Sequence, residues 1–180
     1  MVTVPRVWTD YGTTIVQAAQ RWNVPIELIV ATICTESGGN PSAVRIEPGW
    51  TSDMATPHRV SVGLMQTLIS TAQGALHNPA IDRAALLDPA ISIHAGTAYI
   101  AQQKFSTRFD PPLVACAYNA GGLYPNSGPA NRWKLRQYPI GSGVHADRFV
   151  KWLNDCFAFL AQSPNELPDK SSSFVQLMRS

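Results

Sequence analysis

The stretch IVATICTESGGNPSAV, residues 29–44, runs as an apolar helix up to Glu36 and then meets two glycines and a proline. Pro25 suits the first turn of this helix. Ile26, Ile29, Val30 and Ile33 recur at i, i+3, i+4 and i+7, the spacing of one helix face. Gly38, Gly39 and Pro41 predict where it stops. Glu36 stands seven residues after Ile29, so at about 100° per residue the two nearly eclipse. The carboxylate therefore lies at the edge of the apolar stripe, with Ser37 nearer the centre. Partial burial disfavours the charged form of a carboxylate, and the C-terminal end of a helix dipole opposes negative charge. A glutamate in such a place suits general-acid chemistry. The plain alternative is a glutamate that faces water or pairs with an arginine. This segment alone leaves both open.

Working outward, the pattern stays helical. Ile15, Ala18, Ala19 and Trp22 form a stripe that NVP interrupts at 23–25. Residues 38–60 are rich in turn formers and read as a long loop. SVGLMQTLISTAQGAL returns to helix after Gly63. Asp88–Pro89 and Asp110–Pro111 each place an N-cap before a proline at the first helical position. The second of these helices carries Leu113, Cys116, Ala117 and Ala120 on one face and ends at Gly121–Gly122. Residues 123–143 are loop-like, and a last helix follows with Phe149, Trp152, Leu153, Cys156 and Leu160 as its stripe. With no repeat and no convincing strand, the expectation is a single all-α domain over residues 1–160. Residues 161–180 then form a poorly ordered tail or a linker end.

The composition agrees with a folded chain of 180 residues, 45% apolar and 14% charged. A net charge of +2 is too small to imply nucleic acid. Cys34, Cys116 and Cys156 fall in apolar helical segments and read as buried thiols, a disulfide between two of them being the alternative. The histidines are scattered and show no ligand spacing, so neither a metal nor another cofactor is expected. The N-terminus lacks the pattern of a signal peptide, and no apolar run reaches membrane-spanning length. If the target lies outside the cytoplasm, delivery needs another route or a removed leader.

Three short motifs, in order, sharpen the reading: ESGGNP at 36–41, GLMQ at 63–66 and AYNAGG at 117–122. Together they resemble the soluble (SLT-type) lytic transglycosylases, relatives of goose-type lysozyme that cleave peptidoglycan glycan strands. DPAISIHAGTAYI is similar to the helix that connects the family's second and third motifs, and the resemblance runs over roughly residues 12–160. It implies a lysozyme-like helical domain with a long loop inserted after the catalytic helix. It also implies that Glu36 is the sole acid/base, protonating the bond between N-acetylmuramic acid (MurNAc) and N-acetylglucosamine (GlcNAc). The muramoyl C6 hydroxyl then closes a 1,6-anhydro ring, and a nucleophile inside the substrate needs no second residue to activate water. Ser37, Ser61, Gly63, Met65, Gln66, Tyr118 and Asn119 are the matching substrate-side residues. By this reading Gly63 lets a sugar approach the backbone, Met65 and Gln66 form a cleft wall, and Tyr118 orients Glu36 or touches the sugar. Ser37 caps or orients locally.

The chain also departs from the pattern. RIEPGWTSDMATPHRV lengthens the gap between the glutamate and GLMQ. Trp50 is placed to stack on a sugar, and Asp53 and Glu47 are the candidates for a second carboxylate; the alternative is a loop lying away from the cleft. Ser92 stands where the family often has asparagine, and Phe149 where it usually has a tyrosine beside the site. Two other readings therefore stay open: a muramidase that hydrolyses with Asp53 or Glu47 as base, and a wall-binding module without activity. The setting is equally open, as a phage virion or lysis component, part of a secretion machine, or a periplasmic enzyme.

Overall fold

Every residue from Ile26 to Thr35 is buried, so the helix that carries Glu36 is enclosed on all sides rather than along one stripe. A helix apolar all round belongs at the centre of a fold, and here α1 (Thr3–Trp22) and α8 (Gly143–Leu160) pack directly against α2 (Ile26–Glu36). Its two interior hydroxyls cost nothing in unmet polarity. Thr32 donates to the Leu28 carbonyl and Thr35 to that of Ala31. The computed structural model describes residues 3–124, 143–163 and 166–180. Most of the loop-like stretch 123–143 lies outside the described residues.

After α2 the chain forms a small antiparallel sheet of β1 (Val44–Ile46), β2 (Val60–Val62) and β3 (Thr67–Leu68), in that order. These strands differ from the all-helical expectation and are invisible in the sequence because of their length: three residues or fewer carry no readable alternation. Helix resumes only at Ile69, not after Gly63. Gly63 (φ +78°) and Gln66 (φ +47°) both take left-handed backbone, which no helix accommodates. Helices α3 (Ile69–Leu76), α4 (Arg83–Leu86), α5 (Pro89–Gln102), α6 (Lys104–Thr107) and α7 (Pro111–Ala120) follow. The two expected caps are formed: the Asp88 carboxylate accepts from Ala90 and Ile91, and that of Asp110 from Leu113. Val60, Val62, Ile69, Ala72 and Leu86 make a second, smaller core beneath the sheet. Cys34, Cys116 and Cys156 are buried free thiols, and burial pushes the Cys34 thiol up to about 12.

The expected loose tail is instead docked over residues 166–180. Glu27, fully buried in the first turn of α2, accepts from the Ser173 hydroxyl (2.7 Å) and from the backbone N–H groups of Phe174 (3.0 Å) and Val175 (2.9 Å). These are donors at the start of α9 (Phe174–Arg179), where a carboxylate also complements the helix dipole. No local pattern in the tail announces a partner 146 residues away. Glu27→Ala orphans all three donors, and we expect it to cost about 3 kcal/mol in urea unfolding. Limited proteolysis of the folded variant should then cut within residues 166–180; a tail that stays protected would show that Glu27 does not hold it.

Candidate active site

Glu36 is the last residue of α2, the point at which a fully enclosed helix leaves the core. Its side chain keeps 16% of its exposure and opens into a cleft of about 310 Å³. Ser37 ends the helix, its backbone N–H bonding the Ile33 carbonyl. The turn that follows is pinned to α1. Arg6 donates to the Gly38 carbonyl, and a β-carbon at Gly39 (φ +80°) would stand 2.8 Å from Val7. Only glycine allows so close an approach in that conformation.

One oxygen of Glu36, Oε1, meets Nε2 of His145 at 3.2 Å, with the His145 side chain 12% exposed. His145 lies in the first turn of α8, one helical turn before Phe149 and on the same face. Phe149 itself is only 1% exposed and belongs to the core, so it holds α8 in place while the histidine reaches the glutamate. Position 149 is where the sequence pattern points for a partner, and nothing local marks the histidine four residues earlier.

The motif GLMQ is a tight turn between β2 and β3, and its residues act mainly through the backbone. A β-carbon on Gly63 would lie 2.1 Å from the Leu86 carbonyl and 2.7 Å from the Ser92 hydroxyl. Gly63 is therefore a packing requirement and does not border the cleft. Met65 is fully buried, lodged against Gly96, and is not a cleft wall. Its backbone is what matters: Ser92 accepts from its N–H at 3.2 Å, and Tyr118 donates to its carbonyl at 2.8 Å. Ser37 is half-buried and off the cleft lining, donating to the Leu64 carbonyl at 2.7 Å and so tying the end of α2 to this turn. Gln66 does line the cleft, with its amide nitrogen bonded to the carbonyls of Ala43 (2.9 Å) and Gly63 (3.0 Å). Those bonds commit its amide nitrogen and not its side-chain carbonyl.

Tyr118 and Asn119, at the end of α7, border the cleft opposite this turn together with Tyr99 from α5. The Tyr118 hydroxyl is shared between the Met65 carbonyl and the Thr67 hydroxyl (3.2 Å), so it braces the turn and does not bond to Glu36. Burial, with the Glu36 carboxylate acting the same way, pushes its pKa well up and keeps it a neutral donor. Tyr99 packs edge-to-face against it at 5.5 Å. Tyr99 went unnoticed in the sequence because its helix reads as uniformly apolar.

The long insertion forms a wall of the cleft rather than lying away from it. Arg45, Glu47, His58 and Ser61 all border it, and Arg45 bonds Glu47 at 2.7 Å. Asp53 does not border it. Arg83 grips its carboxylate at both oxygens (2.8 and 2.6 Å), and the Trp50 indole donates to it at 3.0 Å. Trp50 also lies under the Arg83 guanidinium, 5.9 Å from the ring centre, so it fastens the loop and stacks on no sugar in the cleft. Among the described residues, no group of three or more His, Cys, Asp or Glu side chains could hold a metal.

The Arg83 hydrogen bond, opposed in part by desolvation, holds the Asp53 carboxyl below its usual 3.8. A carboxylate depressed in the folded state stabilises above its unfolded pKa and loses that contribution as pH falls through the folded one. For a pair this exposed the contribution is at most about 1 kcal/mol. Asp53→Asn should therefore lower stability by up to about 1 kcal/mol at pH 7, and the difference should vanish once pH falls well below 3.8. Catalysis should persist in this variant; an inactive Asp53→Asn protein would restore Asp53 as a second carboxylate.

Comparison with known proteins agrees with this architecture. The family model for the transglycosylase SLT domain matches residues 13–138. A search of curated proteins finds no significant match. Among solved structures, an inactive mutant of the lytic transglycosylase Slt from Pseudomonas aeruginosa superposes with a TM-score of 0.57 at 19% identity. The alignment covers 92% of this chain and 26% of that one, so the likeness is to about a quarter of the larger protein and is one of fold. With its fold and most of its length matched, the chain belongs to the transglycosylase SLT domain family.

Proposed function

We propose that this domain cleaves the β-1,4 bond between MurNAc and GlcNAc and leaves 1,6-anhydro-MurNAc ends, with Glu36 as its single acid/base. The observation that supports this most is the inventory of carboxylates at the cleft. Among its described lining residues these are Glu36 and Glu47, and Glu47 is already bound by Arg45. Asp53, the other candidate for a water-activating base, is held by Arg83 away from the cleft.

The chemistry then follows from one carboxyl group used twice. Protonated Glu36 donates to the glycosidic oxygen, and the bond from C1 of MurNAc to that oxygen breaks. GlcNAc departs with the proton as its new hydroxyl. The Glu36 carboxylate next takes the proton of the muramoyl C6 hydroxyl as that oxygen bonds C1, which returns the enzyme to its starting state. His145 contacts Oε1 and leaves Oε2 for this proton exchange. Its N–H steadies the carboxylate between the two transfers. The Gln66 side-chain carbonyl faces the N–H of an acetamido group, and Tyr99 offers an aromatic surface beside the sugar. Action on peptidoglycan places the work of the domain in the periplasm or cell wall.

Mass spectrometry of digested sacculi tests this reading. Glycan ends should be one water lighter than hydrolysis products, and Glu36→Gln should lower turnover at least about a thousandfold. Ends of full hydrolytic mass would assign a muramidase instead. His145→Phe should lower kcat about 10- to 100-fold with KM changed only a few-fold, and His145→Gln, which keeps an N–H donor, should recover part of the loss.

A further inference from the structure

The mechanism leaves the charged wall of the cleft unused, and that wall has a definite geometry. In the register of the sheet, Arg45 stands opposite Ser61 and Ser61 opposite Leu68. All three border the cleft, so one row of side chains across three strands faces the substrate. The neighbouring row, Val60 and Val62, turns the other way into the smaller core. Glu47, two residues beyond Arg45, returns to the cleft side and holds the guanidinium through one nitrogen. The Arg45 side chain nevertheless stays 69% exposed. Its remaining N–H donors, like the imidazole of His58 elsewhere on the cleft lining, have no partner among the described residues.

A solvated ion pair of this kind adds little stability, so fastening the hairpin does not account for it. Nor does a bare glycan. N-acetylated sugars are neutral, and the lactyl carboxyl of MurNAc is neutral once amide-linked to its peptide. The fixed negative charges of a peptide-bearing strand are the free carboxylates of that peptide. A guanidinium with unused donors, pre-oriented by Glu47, matches a carboxylate in shape and charge. Resting on the proposed action on peptidoglycan, we propose that Arg45, set by Glu47 on a cleft lining that also carries His58, forms a subsite for the free carboxylates of the stem peptide. The inserted hairpin would then make this domain select peptide-bearing over uncharged strands.

The test compares soluble glycan strands carrying peptides with free carboxylates against the same strands after those carboxylates are converted to methylamides. Dissociation constants are measured with the Glu36→Gln protein, so that binding is read apart from turnover. We expect roughly five- to tenfold tighter binding of the carboxylate form at low salt, the preference shrinking as salt rises. Arg45→Gln in the same background should bring the ratio to about one, while Glu47→Gln, which keeps the guanidinium, should leave it above one. Equal binding of the two strands, or a ratio unchanged by Arg45→Gln, would overturn the subsite. Product masses from the wild-type protein report separately on the anhydro mechanism, so the two readings fail independently.

Discussion

The site depends on a burial boundary. Helix α2 is enclosed from Ile26 to Thr35, and the next residue is the glutamate. A carboxylate one turn earlier would be sealed in the core, and one turn later it would lie in solvent. At the boundary it is mostly covered, reaches the cleft, and can be gripped by one neighbour, His145. Everything that fixes the end of α2 therefore fixes where this carboxylate stands. Ser37 and the Leu64 carbonyl, Arg6 and the Gly38 carbonyl, and the Gly39 contact with Val7 each hold that end in place.

The same economy governs the GLMQ turn. Left-handed backbone at Gly63 and Gln66 lets β2 reverse into β3 while the turn packs under α4 and α5. Ser92 and Tyr118 then hold Met65 from two sides through its backbone N–H and carbonyl. A larger residue at position 92 would crowd Gly63, whose missing β-carbon already lies in line with the Ser92 hydroxyl. Motif residues in this fold thus divide into those that present a group to the cleft, Gln66 and Asn119, and those that shape the backbone behind it, Gly63 and Met65.

How far the sequence reveals this is uneven, for physical reasons. The long helices, their Asp–Pro starts and the glycines after Glu36 were legible because caps and apolar spacing are local signals. The motifs placed Glu36, Gln66, Tyr118 and Asn119 at a common site, and the cleft brings these four together. What was not legible depends on contacts distant in sequence. The strands are too short to show a period, and pairing with β2 is what makes β1 a strand. The docking of the tail rests on Glu27 far upstream. His145 resembles any polar residue in a first helical turn until α8 is laid against α2. The hairpin reads as loop composition, and only its register reveals that Arg45 and Ser61 share the cleft face.

In the proposed reaction the atom attacking C1 belongs to the substrate, and Glu36 serves it alone. Digesting sacculi in water labelled with heavy oxygen examines that atom directly. Newly formed muramoyl ends should carry no label, because the C6 oxygen closes the ring and solvent never bonds C1. Labelled oxygen at C1 of those ends would contradict it and assign the attack to water.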